Sequence, residues 1–92
     1  MTTRSVTVRN QLGMHARAAA RFVHLASGFV SQIWVARGQK VMDGKSLLGI
    51  LLLAAAQGSE ITISAEGRDE TQAVEALVGL VDAGFGELPC IG

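Results

Sequence analysis

Apolar residues recur along this chain with two different periods, and the order in which the periods alternate leaves few folds open. Ser5-Val6-Thr7-Val8 alternates polar and apolar β-branched residues, the period of a strand with one buried face. From Ala16 to Ser27 the period becomes helical: Ala18, Ala19, Phe22, Val23, Leu25 and Ala26 fall on one side, Ala16, Arg17, Ala20, Arg21, His24 and Ser27 on the other, and Gly28 stops the run. Ile33 and Val35 then alternate with Gln32 and Trp34, and Arg37-Gly38-Gln39-Lys40 turns the chain into Val41-Met42, which reads as a hairpin. Ser46 stands as a helix cap before the apolar run Leu47 to Ala56, closed by Gln57-Gly58. Ile61, Ile63 and Ala65 mark another strand, and Asp69 with Gln72 resembles a capping box for a helix striped by Ala73, Ala76, Leu77, Leu80 and Val81 up to Gly84.

The order is βαββαβα. Helical crossovers make the first and second strands parallel, and likewise the third and fourth, while the hairpin sets the second against the third. Inserting the fourth strand between the first and second makes every neighbour antiparallel. The expected fold is α+β: a two-layer open-faced sandwich, a four-stranded antiparallel sheet of order 1-4-2-3 covered on one face by three helices. A chain of 92 residues that is 49% hydrophobic suits a single domain over 1–92. In two layers a helix that is apolar on every side cannot be wholly buried, so some of Leu47, Leu48, Leu51 and Leu52 should form an exposed patch of the kind that meets partners.

Formal net charge is zero, yet positions 1–46 hold seven Lys/Arg against one acid, and positions 47–92 hold one Arg against seven acids. Two lysines, few aromatics and no Tyr leave little to neutralise phosphates or stack bases, so nucleic acid is an unfavourable partner and an acidic protein surface a better one. The ten-residue apolar run is about half the ~20 residues of a spanning helix, and no membrane insertion is expected. A single cysteine, Cys90, and no signal-peptide pattern at the start suit the cytoplasm. His15 and His24 lie nine apart with no Cys-x-x-Cys or i,i+4 pair, so no metal site is expected. The glycines form no P-loop.

His15 stands between a glycine turn and the first turn of the first helix, with Arg17 two residues on. N–H groups of an opening turn lack intrahelical acceptors and carry the positive end of the helix dipole, so they disfavour imidazolium and welcome an anion. A neutral imidazole there is a nucleophile, the N–H donors of Ala16 and Arg17 suit a phosphoryl group, and the Arg17 guanidinium suits its charge. Taken alone, the same placement also fits a mere turn residue.

Asn10-Gln11-Leu12-Gly13-Met14-His15-Ala16-Arg17 resembles the active-site motif of the HPr family, the histidine phosphocarriers of the bacterial phosphotransferase system. Gly44-Lys45-Ser46-Leu47-Leu48-Gly49 resembles the family's second motif, and Gly58-Ser59-Glu60-Ile61-Thr62-Ile63 and Phe85-Gly86-Glu87 its later segments, so the likeness runs roughly from residue 6 to 87 and leaves a tail at 88–92. The resemblance implies a monomeric carrier rather than a free-standing enzyme, needing no cofactor. His15, through Nδ1, would accept a phosphoryl group from phosphorylated enzyme I, charged by phosphoenolpyruvate, and pass it to enzyme IIA domains, with Arg17 stabilising its charge. It further implies a regulatory phosphorylation at Ser46 by an HPr serine kinase/phosphorylase. The charge asymmetry, for its part, places partner contacts on the basic rim of Arg17, Arg21 and Lys45 around the apolar centre of Ala20, Leu47, Leu48 and Leu51. A regulatory module, for instance of the nitrogen-related branch, is the alternative. One position departs from the usual His-x-Arg-Pro: Ala18 stands where the family has proline. Alanine is an excellent helix former, so the change bears on transfer rate and partner choice more than on the chemistry.

Overall fold

A computed structural model describes residues 1–86. Its elements follow in the order β1 (Thr2–Thr7), α1 (Ala16–Ser27), β2 (Gln32–Arg37), β3 (Lys40–Asp43), α2 (Leu47–Leu53), β4 (Glu60–Glu66) and α3 (Glu70–Asp82), then a short turn, Gly84–Gly86. The sheet is antiparallel throughout with order β1-β4-β2-β3, Val6 facing Ile61 and Val35 facing Ile63. This is the α+β open-faced sandwich that the periodicities predict. Ile33, Val35, Ile61, Ile63 and Ala65 are buried against Phe22 of α1, Ile50 and Leu53 of α2, and Val74, Leu77 and Val81 of α3. Each large apolar side chain so buried contributes about 1.5–3 kcal/mol. The opposite sheet face stays in water, with Ser5 and Thr62 hydroxyls hydrogen-bonded across it at 3.1 Å.

Three local expectations are corrected. Strand β1 begins at Thr2 rather than Ser5, because pairing with β4 extends it through Thr2, Thr3 and Arg4, which are not fully buried and carry no apolar alternation. Helix α2 ends at Leu53, not Ala56. Ala54 takes a left-handed conformation (φ 50°), Arg37 Nε donates to the Leu53 carbonyl at 2.8 Å and Lys40 Nζ to that of Leu52 at 3.4 Å, so the hairpin satisfies the last carbonyls.

The third correction concerns Asp69, which precedes α3 as expected but makes no side-chain cap bond. Its carboxylate instead accepts from the N–H groups of Val30 and Ser31, each at 3.0 Å, and from the Ser31 hydroxyl. The Ser31 hydroxyl, followed by the Val30 N–H, holds Asp69 below the usual carboxylate range. Glu70 is lowered as well, chiefly by the Thr2 hydroxyl. Carboxylates depressed in the native state add stability above their unfolded pKa, and that stability is lost as pH falls through the native value. Asp69→Asn should therefore be less stable than the parent at pH 7, and the gap should start to narrow below about pH 4 and close as pH falls through the lower native pKa. Urea melts at pH 7 and pH 3 read this directly; an unchanged gap would show that the Asp69 bonds do not depend on its charge.

Candidate functional site

The loop before α1 is built by two residues. Asn10, buried, donates from Nδ2 to the Gly13 carbonyl at 2.7 Å, while the Gly13 N–H returns to the Asn10 carbonyl at 3.1 Å. Gly13 has φ 65° and lies against the segment after α2: a Cβ there would stand 2.5 Å from the Ala55 carbonyl oxygen and 2.9 Å from Ala56 Cα. The next N–H, of Met14, donates to that Ala55 carbonyl at 2.9 Å. Those contacts show why residues 54–56 leave the helix: they hold the loop that delivers His15.

His15 is the N-cap of α1, in extended conformation (φ −74°, ψ −179°), and its Nδ1 accepts from the Arg17 N–H at 3.3 Å. That bond turns Nδ1 toward the helix entrance. The ring lies in an open hollow bordered by Gln11, Leu12, Ala16, Arg17, Arg21 and Gly86. His15 and Arg17 are thus brought together as expected, and Ala16 joins them. Ala18 is fully buried on the inner side of α1, which starts at Ala16 without a proline.

The expected partner residues divide between two ends. Lys45 Nζ donates to the Phe29 carbonyl at 2.7 Å, just beyond the C-terminal end of α1. Since twelve helical residues span about 18 Å, Lys45 sits roughly a helix length from His15. The Met14–Ala55 bond at one end and the Lys45–Phe29 bond at the other make α1 and α2 antiparallel. Ser46 therefore belongs to the far end too, where its Oγ accepts from the Gly49 N–H at 3.0 Å and caps α2. Between the ends, Ala20, Leu47, Leu48 and Leu52 are exposed and Leu51 is half-buried. Arg21 meets the turn after α3, its guanidinium donating to the Phe85 carbonyl. Sequence reasoning passed over Leu12, 72% exposed at the hollow, although a large apolar residue in a polar turn is itself a signal. It also passed over Arg37 and Lys40, whose caps on α2 join residues too distant in sequence to be anticipated. Glu87 and Cys90 lie outside the described residues. Among the described residues no helix is long and apolar enough to cross a membrane.

Comparison with known proteins gives consistent matches. The family model for the PTS HPr component phosphorylation site matches residues 2–83. The phosphocarrier protein HPr of Cupriavidus necator is 44% identical over 95% of this chain and 98% of its own length. The phosphocarrier protein NPr of Shewanella violacea is 43% identical over 91% and 92% respectively. The crystal structure of HPr-C-His from Thermoanaerobacter tengcongensis superposes with a TM-score of 0.92 at 45% identity, covering 96% of this chain and 99% of that one.

Proposed function

The chain belongs to the HPr phosphocarrier family of the phosphotransferase system, and from that premise we propose that His15 carries a phosphoryl group from phosphorylated enzyme I to enzyme IIA domains. The observation that carries this reading is the His15 Nδ1 atom, which accepts from the Arg17 N–H at the open first turn of α1. In the transfer, the P–N bond of the enzyme I phosphohistidine breaks as the Nδ1–P bond forms. The Arg17 N–H, which now donates to Nδ1, then has a phosphoryl oxygen in reach, and the Arg17 guanidinium offsets added charge. Neither group has to be recruited from elsewhere, so positioning accounts for much of the rate. Incubation with enzyme I and phosphoenolpyruvate should add one phosphoryl group that is acid-labile and base-stable, as a phosphoramidate is. A label that survives acid would place the phosphate on another residue type.

Partners dock, on this reading, over α1 and α2: the apolar centre of Ala20, Leu47, Leu48 and Leu51 with cations at both ends, Arg17 and Arg21 at one and Lys45 at the other. A rim of one sign suits an acidic partner surface and governs encounter more than residence. Leu47→Asp should weaken the enzyme I complex at least tenfold while leaving the thermal melt in place, because Leu47 is 44% exposed. Normal binding by that variant would put the interface elsewhere.

Ser46 acts on docking rather than on His15 chemistry, since it lies at the opposite end of α1. A phosphate placed there by a serine kinase would add about −2 charge to the partner surface without touching the imidazole. Ser46→Asp should slow transfer from enzyme I and leave the melt unchanged, whereas Ser46→Ala should lose about 1 kcal/mol of stability, as a lost cap does. An unaltered transfer rate for Ser46→Asp would reduce Ser46 to a cap. A signalling role, in place of sugar uptake, is the alternative reading, since the chain is similar to both the Cupriavidus HPr and the Shewanella NPr at nearly equal identity. Transfer assays with sugar-specific and nitrogen-related enzyme IIA proteins separate the two.

A further inference from the structure

Arg21 follows Arg17 by four residues, so the two occupy one face of α1, a single turn apart. Helical side chains lean toward the N-terminus, which carries the Arg21 head back toward the helix entrance where His15 stands. What meets it there is an unusual piece of backbone. Gly84, Phe85 and Gly86 all have positive φ, 68°, 57° and 76°, and the Phe85 ring is 1% exposed. The buried ring anchors the left-handed turn, and the turn presents the Phe85 carbonyl to Arg21 Nη1. Gly86 leaves just enough room: a Cβ on it would come within 3.2 Å of the same nitrogen.

The chemistry of that contact matters more than its existence. A neutral carbonyl fixes a guanidinium without neutralising it, whereas Arg9, by contrast, pairs with the Asp82 carboxylate at 2.9 Å. Among the described residues only one of the five N–H donors of Arg21 is committed, and the planar fork keeps the rest in fixed directions. Among the described residues bordering the hollow there is no carboxylate; its titratable or charged members are His15, Arg17 and Arg21. A cation that is positioned, has no carboxylate partner among the described residues and shares a hollow with an imidazole is arranged for an anion formed there.

We infer that Arg21 is a second phosphoryl-binding cation of the His15 site, held ready by the Phe85 carbonyl and sharing with Arg17 the charge that arrives on Nδ1. The inference rests on His15 being the acceptor. It predicts that neither arginine alone carries the whole electrostatic load, so that removing both has a larger effect than removing either.

The test is a phosphorus NMR pH titration of the chain phosphorylated with enzyme I and phosphoenolpyruvate. A guanidinium touching the phosphoryl oxygens favours their dianionic form, so Arg21→Gln should raise the phosphoryl pKa by about half a unit, a size that reflects a solvent-exposed site. Arg21→Lys should restore most of the difference, which a merely structural strut would not require. An unchanged phosphoryl pKa in Arg21→Gln overturns the inference while leaving His15 as acceptor. A parent chain showing no phosphohistidine resonance overturns the His15 reading, and this inference with it. Should Arg21→Gln not fold, the guanidinium nitrogen signals of the unsubstituted chain decide: Arg21 must shift on phosphorylation, and a signal that stays put counts against it.

Discussion

His15→Ala should reduce phosphoryl acceptance from enzyme I to background, because no other described side chain presents a nucleophile at a helix entrance in a hollow bordered by two arginines. Stability is a separate matter. The substitution removes the bond from the Arg17 N–H, so a loss of about 0.5–1 kcal/mol is expected, a drop of a few degrees in melting temperature. His24 supplies the internal control, being exposed on the same helix near its other end, and His24→Ala should label normally. Arg17→Ala should label fully but about ten- to a hundredfold more slowly, the scale of losing one stabilising group for developing charge. Retention of label in His15→Ala at the parent level would remove the acceptor assignment and everything that depends on it.

Gly13→Ala should be the most damaging small substitution near the site. Two independent terms add. The φ of 65° is strained for any residue with a Cβ, and the new atom would stand 2.5 Å from a backbone oxygen and 2.9 Å from a backbone carbon, neither of which can swing aside. Together they cost about 2–4 kcal/mol, equivalent to a melting point roughly 10–20 °C lower. Relief would come by separating residues 13–14 from 55–56, so the Met14–Ala55 bond would lengthen and His15 would lose its placement. Transfer should therefore slow even at temperatures where the variant is folded. Gly58→Ala isolates the strain term, because Gly58 has φ 89° with open space around it, and it should cost only about 1 kcal/mol. Equal losses for the two variants would show that the contact with residues 55–56 contributes nothing.

Residues whose roles are set by near neighbours could be read from the sequence, and those set across the fold could not. The span of α1 follows from a clean two-sided pattern and a terminal glycine, so Ala16–Ser27 was legible to the residue. The sheet order followed from strand directions, set by the helical crossovers and the hairpin, once every neighbour was made antiparallel. The end of α2 was not legible, because an unbroken apolar run contains no stop signal; Ala54 turns left-handed although nothing in its side chain asks for it. Its reason lies 41 residues away in sequence, where the Met14 N–H takes the Ala55 carbonyl. Asp69 has the residue type of a helix cap, and Ser31 and the Val30 backbone outcompete the local acceptor role. Lys45 and Arg21 were legible as cations and not as directions: a long side chain's destination depends on which carbonyl the tertiary fold leaves within reach.

Strand β4 lies between β1 and β2, and this fixes when the molecule can assemble as it is made. The β2–β3 hairpin has both partners by residue 43, but β1 has no neighbour until residues 60–66 exist, pairing across separations such as that of Val6 from Ile61. A ribosome adding about 5–20 residues per second therefore leaves β1 waiting for several seconds with its backbone donors unpaired. Closing so long a loop comes before the contacts that reward it, and folding should be correspondingly late and nearly all-or-none. The His15 loop inherits the same schedule, since it leans on Ala55 and Ala56, and the turn at residues 84–86 that meets Arg21 comes later still. A nascent chain that has not yet made β4 should thus be silent in phosphoryl transfer, so competence arises only once the sheet has closed.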